Sequence, residues 1–268
     1  MRPAKALYPP EVDQRWRDLE WELIPEIPET PAMNVALDEV MTKAVGRGER
    51  GPTLRFWAWA SQAVILGRFQ SVKNEVQIEN AATYDVSIVR RISGGGAMLV
   101  QPEGAITYSL YVPPEFVRDL SFAESYAFMD GWIVRALRDM GIDAWYQPLN
   151  DITSSEGKIG GAAQARRFGA VLHHTTMAYD MDVDLLMNVL RIGQEKLSDK
   201  GLTSAAKRVA PLRMQKNIPR TDIVETFTSS FIELTGATIG SVKPEERAEA
   251  EELVREKFTN PEWTYVLP

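Results

Sequence analysis

The eight residues Arg90-Arg91-Ile92-Ser93-Gly94-Gly95-Gly96-Ala97 stand between two strand-like runs, residues 87–91 and 97–100. A glycine triplet between strands lets the backbone approach a ligand closely and offers its N–H groups to anionic oxygens. The two arginines beside it add fixed positive charge that engages phosphate or carboxylate. The same residues would also serve as a glycine-rich hairpin with its arginines in solvent, so this segment alone leaves both readings open.

Working outward, residues 54–60 and 63–66 read as short strands around a Ser61-Gln62 turn, and residues 76–84 as a helix. Thr30 is placed to cap an earlier helix opening at Pro31. Val35, Leu37, Val40, Met41 and Val45 form its apolar face, and Gly46 and Gly48 mark its end. Residues 1–20, rich in proline and charge, are expected to form an extended arm, followed by a short strand over 21–24. Downstream, residues 106–112, 144–146 and 171–179 read as strands. Between them Ser121 and Glu124 make a capping-box pattern. Phe122, Tyr126, Met129, Ile133, Leu137 and Met140 then repeat at helical spacing until Gly141.

Beyond His174 the chain reads mainly as helix. Thr221 is expected to cap a stripe of Ile223, Phe227, Phe231 and Leu234 closed by Gly236, and Pro244 with Glu245 and Glu246 opens a last helix. No repeat or low-complexity linker interrupts this order. The expected fold is α+β, a largely antiparallel or mixed sheet flanked by helices, with residues 21–268 as a single domain.

Two further segments carry chemistry. Asn150-Asp151-Ile152-Thr153 is followed by Gly157-Lys158-Ile159-Gly160-Gly161-Ala162-Ala163-Gln164. A lysine between small residues points into a cleft without steric competition and there stabilises a developing oxyanion. The plain alternative is an exposed lysine in a tight turn. Asp151 suits either the Mg²⁺ of a nucleotide or the cap of a turn. The other segment is Leu172-His173-His174-Thr175-Thr176-Met177, which holds the chain's two histidines. Neighbours on a strand face opposite sides, so the pair cannot chelate one metal in regular geometry. A hydrogen-bonded or pocket-wall role is the expectation. Residues 196–209 form a basic stretch, read as a solvated helix face or as a patch that docks an acidic partner.

Composition narrows the classes. The 268 residues are 44% hydrophobic and carry a formal net charge of −7, with no cysteine. The acidic balance argues against a general nucleic-acid binder. The missing cysteine excludes disulfides, thiolate metal sites and thioester catalysis on this chain. With no secretory h-region and no run of about 20 apolar residues, a cytoplasmic protein without membrane contact is expected.

Taken together, the motifs at residues 90–97, 150–152, 157–164 and 173–177, extended by Leu66-Gly67-Arg68-Phe69-Gln70 and residues 196–209, resemble the catalytic domain of lipoate–protein ligases, within the wider biotin and lipoate ligase group. The resemblance implies ATP and Mg²⁺ as cofactors and a two-step reaction. Lipoate and MgATP form lipoyl-AMP, and a lysine of a carrier domain then takes the lipoyl group. By analogy Arg90, Arg91 and the loop Ser93, Gly94, Gly95, Gly96 and Ala97 line the lipoyl and adenylate pocket. Lys158 bridges carboxyl and phosphate oxygens. Asn150 and Asp151 lie at the nucleotide end, Asp151 touching Mg²⁺ through ATP, and Gly160, Ala162 and His174 complete the binding set. The implied partners are lipoyl domains of 2-oxoacid dehydrogenases or glycine cleavage proteins.

The chain departs from the family pattern where an aromatic, a histidine and an aspartate usually follow the glycine loop. Here Met98-Leu99-Val100-Gln101 follows. No C-terminal accessory domain is expected before Pro268; in some members of the family that piece is a separate polypeptide, which would be a further partner here. Two alternatives stand beside the ligase: an octanoyl or lipoyl carrier-protein acyltransferase of the same fold, whose relatives use a cysteine this chain lacks, and a non-catalytic lipoate-binding protein.

Overall fold

Thr30 and Pro31 start the first helix as their chemistry requires. The Thr30 hydroxyl accepts from Met33 N, and proline occupies the first helical position, where no N–H is needed. The resulting α1 (Pro31–Gly46) is buried almost all round and carries Asn34, Asp38, Glu39 and Thr42 inward along with its apolar residues. The computed structural model describes residues 14–191 and 209–267. The basic stretch expected over 196–209 therefore lies outside the described residues except for Val209.

In chain order the strands are β1 (Glu22–Ile24), β2 (Pro28–Glu29), β3 (Thr53–Trp59), β4 (Ala63–Leu66), β5 (Ser87–Arg90) and β6 (Met98–Val100). Then come β7 (Ala105–Val112), β8 (Trp145–Gln147), β9 (Asp151–Ser154), β10 (Gly157–Arg167), β11 (Ala170–Ala178) and β12 (Thr238–Ile239). After α1 the next helices are α2 (Val72–Glu75), α3 (Ile78–Thr83), α4 (Phe122–Asp139) and α5 (Val183–Val189). Among the described residues the large sheet runs β12-β1-β3-β7-β11-β10-β9-β8, with β2 beside β3, and a small sheet runs β5-β4-β6. From β3 to β8 the large sheet is antiparallel, while β12, β1 and β3 pair in parallel. The fold is thus a mixed sheet flanked by helices, as expected.

Period-two alternation assigns each face its helix. Phe56, Leu110 and Val171 turn to one side and pack with α4; Trp57, Tyr111 and Leu172 turn to the other and pack with α1. The capping box of α4 forms as expected, but Phe122 is 60% exposed and does not belong to its core stripe. A third apolar cluster joins the small sheet to Leu185, Leu186 and Val189 of α5.

Several expectations need correction. Residues 14–16 of the supposed extended arm form a 3-10 turn, and Trp16 stacks on Trp21 within the core. An aromatic side chain of that size gains more by burial than the arm gains by staying extended. Residues 54–60 and 63–66 are strands as expected, but they part company: β3 stays in the large sheet, whereas β4 crosses into the small one. The helix expected over 76–84 is present as α3, two residues later in its start, and is preceded by the separate short helix α2. Thr221 is not a cap, because Pro219 precedes the helix Arg220–Thr235 and fixes its start.

Candidate active site

Strand β10 supplies one wall of the site. Its pairing with β9 shifts register between Lys158 and Gly160, so a bulge falls at the motif. Bulges re-aim side chains and bend a strand locally. Lys158 stands on this bulge with Nζ 2.7 Å from Asp151 Oδ1, its side chain 45% exposed. A side chain at Gly161 would crowd the lysine amine, so that glycine keeps room for it. The segment expected as a lysine-bearing tight turn is therefore an eleven-residue strand, entered from a turn at residues 155–156.

Beside β10, β11 separates its two histidines as alternation demands. His173 Nε2 meets Asp130 of α4 at 2.8 Å, in a buried set with Thr175 and Tyr108. His174 faces the opposite side, with Nδ1 2.8 Å from Asp38 Oδ2 and Nε2 2.7 Å from Ser93 Oγ. Burial lowers the His174 pKa below its ordinary value, against the opposing pull of Asp38, and keeps the ring neutral near neutral pH. An Asp38 carboxylate only accepts, so Nδ1 carries the ring proton and Nε2 presents its lone pair to Ser93.

The glycine loop closes this arrangement. Arg91 donates from Nε to Ser93 Oγ at 2.9 Å, from Nη1 to Ile65 O at 3.1 Å, and from Nη2 to the carbonyls of Gly94 and Gly96. Burial lowers its pKa to about 10, so it remains a cation. Its role is to hold the loop; only a share of its surface reaches the cavity. Arg90 is not a pocket residue. Its guanidinium is buried and donates to carbonyls of Gly67, Gln70 and Thr264, tying the loop base to the C-terminal segment.

These pieces surround a cavity of about 250 Å³ between the small sheet and strands β10 and β11. Of the residues singled out from the sequence, Arg91, Gly96, Ala97, Asn150, Lys158, Gly160, Ala162 and His174 line it; Arg90, Ser93, Gly94, Gly95 and Asp151 do not. Asn150 spends its amide on Ala162 O at 2.6 Å. The remaining wall is apolar, with Leu99, Met181, Leu186, Leu190 and Val209 drawn from or packed on the third core cluster. The family resemblance implied an apolar tunnel, but sequence reasoning named none of these wall residues, and it missed Asp38. The available signal for Asp38 was an acid in the middle of an apolar helix, where a charge is rarely buried unless paired.

Asp151 is the residue expected to touch Mg²⁺ through ATP. Its Oδ1 already faces the Lys158 ammonium, and among the described residues no cluster of three or more acids or histidines is placed to hold a metal. Mg²⁺ carried by a nucleotide takes most of its oxygens from phosphates and water and meets only one or two protein carboxylates.

The loops after β4 and β5 are packed backbone to backbone. A methyl group on Gly67 would fall inside the contact distance of the Gly95 carbonyl. Gly67→Ala is thus expected to push the glycine loop away from His174 and lower activity at least tenfold, with the melting temperature falling far less than for a core truncation. Parallel activity and melting measurements check it; unchanged activity would mean the loop position does not matter.

Known proteins similar to this chain share most of its length. The octanoyltransferase LipM of Brevibacillus brevis is 27% identical, aligned over 91% of this chain and 98% of its own. LipM of Kyrpidia tusciae is 29% identical with the same coverage. Among solved structures, the bipartite lipoate protein ligase of Thermoplasma acidophilum, determined with its E2 lipoyl domain, superposes with a TM-score of 0.81 at 29% identity, over 93% of this chain and 98% of that one. The expected ATP-dependent ligase forming lipoyl-AMP is overturned by these relatives: end-to-end similarity to octanoyltransferases backs the alternative, a carrier-protein acyltransferase. A model of the lipoyl protein ligase A/B catalytic domain matches residues 30–232, and the chain belongs to that family of lipoate and octanoate transfer enzymes.

Proposed function

We propose that the chain is an acyltransferase that moves an octanoyl or lipoyl group from a carrier-protein thioester to a lysine of a lipoyl domain. The observation that carries this reading is the two-sided cavity. One wall is apolar and suits an alkyl chain, and the other carries Lys158 and His174, whose polar groups suit an acyl carbonyl. A thioester is already activated, so exchanging its C–S bond for the lysine C–N bond needs no nucleotide. Lys158 supplies positive charge for the tetrahedral oxyanion. Burial of the alkyl chain contributes about 0.8 kcal/mol for each methylene. Similarity to the two octanoyltransferases supports the donor, and the lipoyl domain solved with the Thermoplasma ligase supports the acceptor.

The test is a reaction of the chain with an octanoyl carrier-protein thioester and a lipoyl domain, without ATP. Intact-mass spectra are expected to show one octanoyl group gained by the lipoyl domain. Modification that appears only with free octanoate or lipoate plus MgATP would sink the reading.

A further inference from the structure

An acyltransferase of this family without a cysteine lacks the thiol on which an acyl group could rest. The structure holds a hydroxyl with the apparatus a nucleophile needs. Ser93 Oγ lies 2.7 Å from His174 Nε2, and His174 Nδ1 lies 2.8 Å from Asp38 Oδ2. Distances of this kind define a nucleophile, a base and the group that orients the base, whatever the fold or chain order. We propose that Ser93 is the acyl-accepting nucleophile of this chain, with His174 as its base and Asp38 as the residue that positions the ring. This rests on the acyltransferase reading above and deepens it.

The hydrogen-bond directions are set by the partners. Arg91 Nε–H points to Ser93 Oγ, so that oxygen accepts there and its own proton is directed at His174 Nε2. Nε2 is the unprotonated nitrogen because Asp38 receives the Nδ1 proton. The ring is buried and neutral, ready to accept. Asp38 is held in turn by Tyr111, Ser109 and Arg55. A serine that only anchored a loop would not need a base with its own carboxylate.

In the first step Ser93 Oγ bonds to the thioester carbonyl carbon and the C–S bond breaks. The serine proton passes to His174 Nε2 and then to the departing carrier thiolate. In the second step the neutral ε-amine of the acceptor lysine attacks the Ser93 ester, and the C–Oγ bond breaks as the C–N bond forms. The amine proton returns through His174 to Ser93 Oγ. Nothing is oxidised or reduced. Ser93 is 1% exposed, while His174 and Arg91, its two partners, line the cavity. Acylation therefore requires the loop over Ser93 to yield against its Arg91 hydrogen bonds, and the glycines at 94–96, with Gly95 at φ +85°, give it the backbone freedom to do so.

The experiment has two independent arms. In the first, the full chain is given octanoyl carrier-protein thioester without acceptor, and peptide mapping is expected to place one octanoyl ester on Ser93. Ser93→Ala should lose both the adduct and at least a hundredfold of transfer to the lipoyl domain. Ser93→Cys should retain acylation as a thioester cleaved by neutral hydroxylamine. In the second arm, a fluorophosphonate is expected to label Ser93 with loss of fluoride, and Asp38→Asn to slow labelling and shift its pH profile.

Transfer by the wild type with no Ser93 adduct, and equal transfer by Ser93→Ala, would overturn the proposal while leaving the acyltransferase reading intact. Absence of transfer together with fluorophosphonate labelling at Ser93 would instead leave the nucleophile standing and remove the assumed donor or acceptor. Neither adduct nor label overturns the nucleophile outright. Labelling of Asp38→Asn at the wild-type rate and pH profile would remove Asp38 from the arrangement.

Discussion

Lys158→Ala is expected to lower acyl transfer by roughly two to three powers of ten while leaving the fold and its melting temperature nearly unchanged. The loss corresponds to about 3–4 kcal/mol of transition-state stabilisation, the usual cost of deleting one oxyanion donor. The stability half of the prediction follows from exposure. Lys158 is 45% and Asp151 34% exposed in their side chains, and ion pairs of that kind contribute about 0–1 kcal/mol. A structural lysine would show the reverse split, with little loss of rate and a measurable loss of stability.

Asp151→Asn sharpens the comparison. It removes the partner of Lys158 and keeps the cation, so a modest rate loss is expected if the carboxylate only aims the ammonium. Lys158→Arg is not a silent exchange, because a planar guanidinium in the space beside Gly161 cannot place a point charge where the ammonium stands. Single-turnover rates for the three variants, with circular dichroism alongside, settle the matter. Lys158→Ala at near wild-type rate would remove the lysine from the chemistry.

What the sequence disclosed follows from which physical signals are local. The α4 capping box, the helix start at Thr30 and the opposed faces of His173 and His174 depend on neighbouring residues alone, and all three stand in the structure. Lys158 and the glycine loop stood out in the sequence because small residues surround a charge there, and Lys158, Gly96 and Ala97 line the cavity.

Other features were not legible. Strand β10 is rich in glycine and alanine, which lack the β-branched signature of a strand, and it is a strand because β9 and β11 pair with it on both sides. Arg90 and Arg91 are identical by type, yet one satisfies carbonyls of the C-terminal segment and the other holds the loop at the cavity. That difference is decided by partners 173 residues away in sequence, not by the motif. The link from Asp38 to His174, across 136 residues, is of the same kind. No spacing rule joins a carboxylate in α1 to a serine loop and a strand; only the sandwich of helix on sheet brings them together.

That link also makes Asp38 a centre of stability, and Asp38→Ala is expected to cost about 3–5 kcal/mol, the range for breaking a buried charge pair by removing one partner. Asp38 Oδ1 accepts from Tyr111 at 2.5 Å, Ser109 at 2.8 Å and Arg55 at 3.3 Å. All of these groups are buried, Asp38 at 2% and Arg55 at 3% exposure. Alanine would leave the guanidinium without its counter-charge and several donors unpaired, each costing more than a mean hydrogen bond is worth. Asn34 softens the loss, since its carbonyl and side-chain oxygen also receive Arg55. Asp38→Asn keeps the shape and some acceptance, so a smaller loss is expected. Against a total of about 5–15 kcal/mol for a folded domain, the alanine variant should fall near its threshold. Urea midpoints at constant slope measure it. The electrostatic part is separated by repeating Asp38→Ala in an Arg55→Met background, where removal of the carboxylate no longer strands a cation and should cost at least about 1 kcal/mol less. Equal losses in both backgrounds would show that the carboxylate acts through its neutral donors, Tyr111, Ser109 and His174, and not through Arg55.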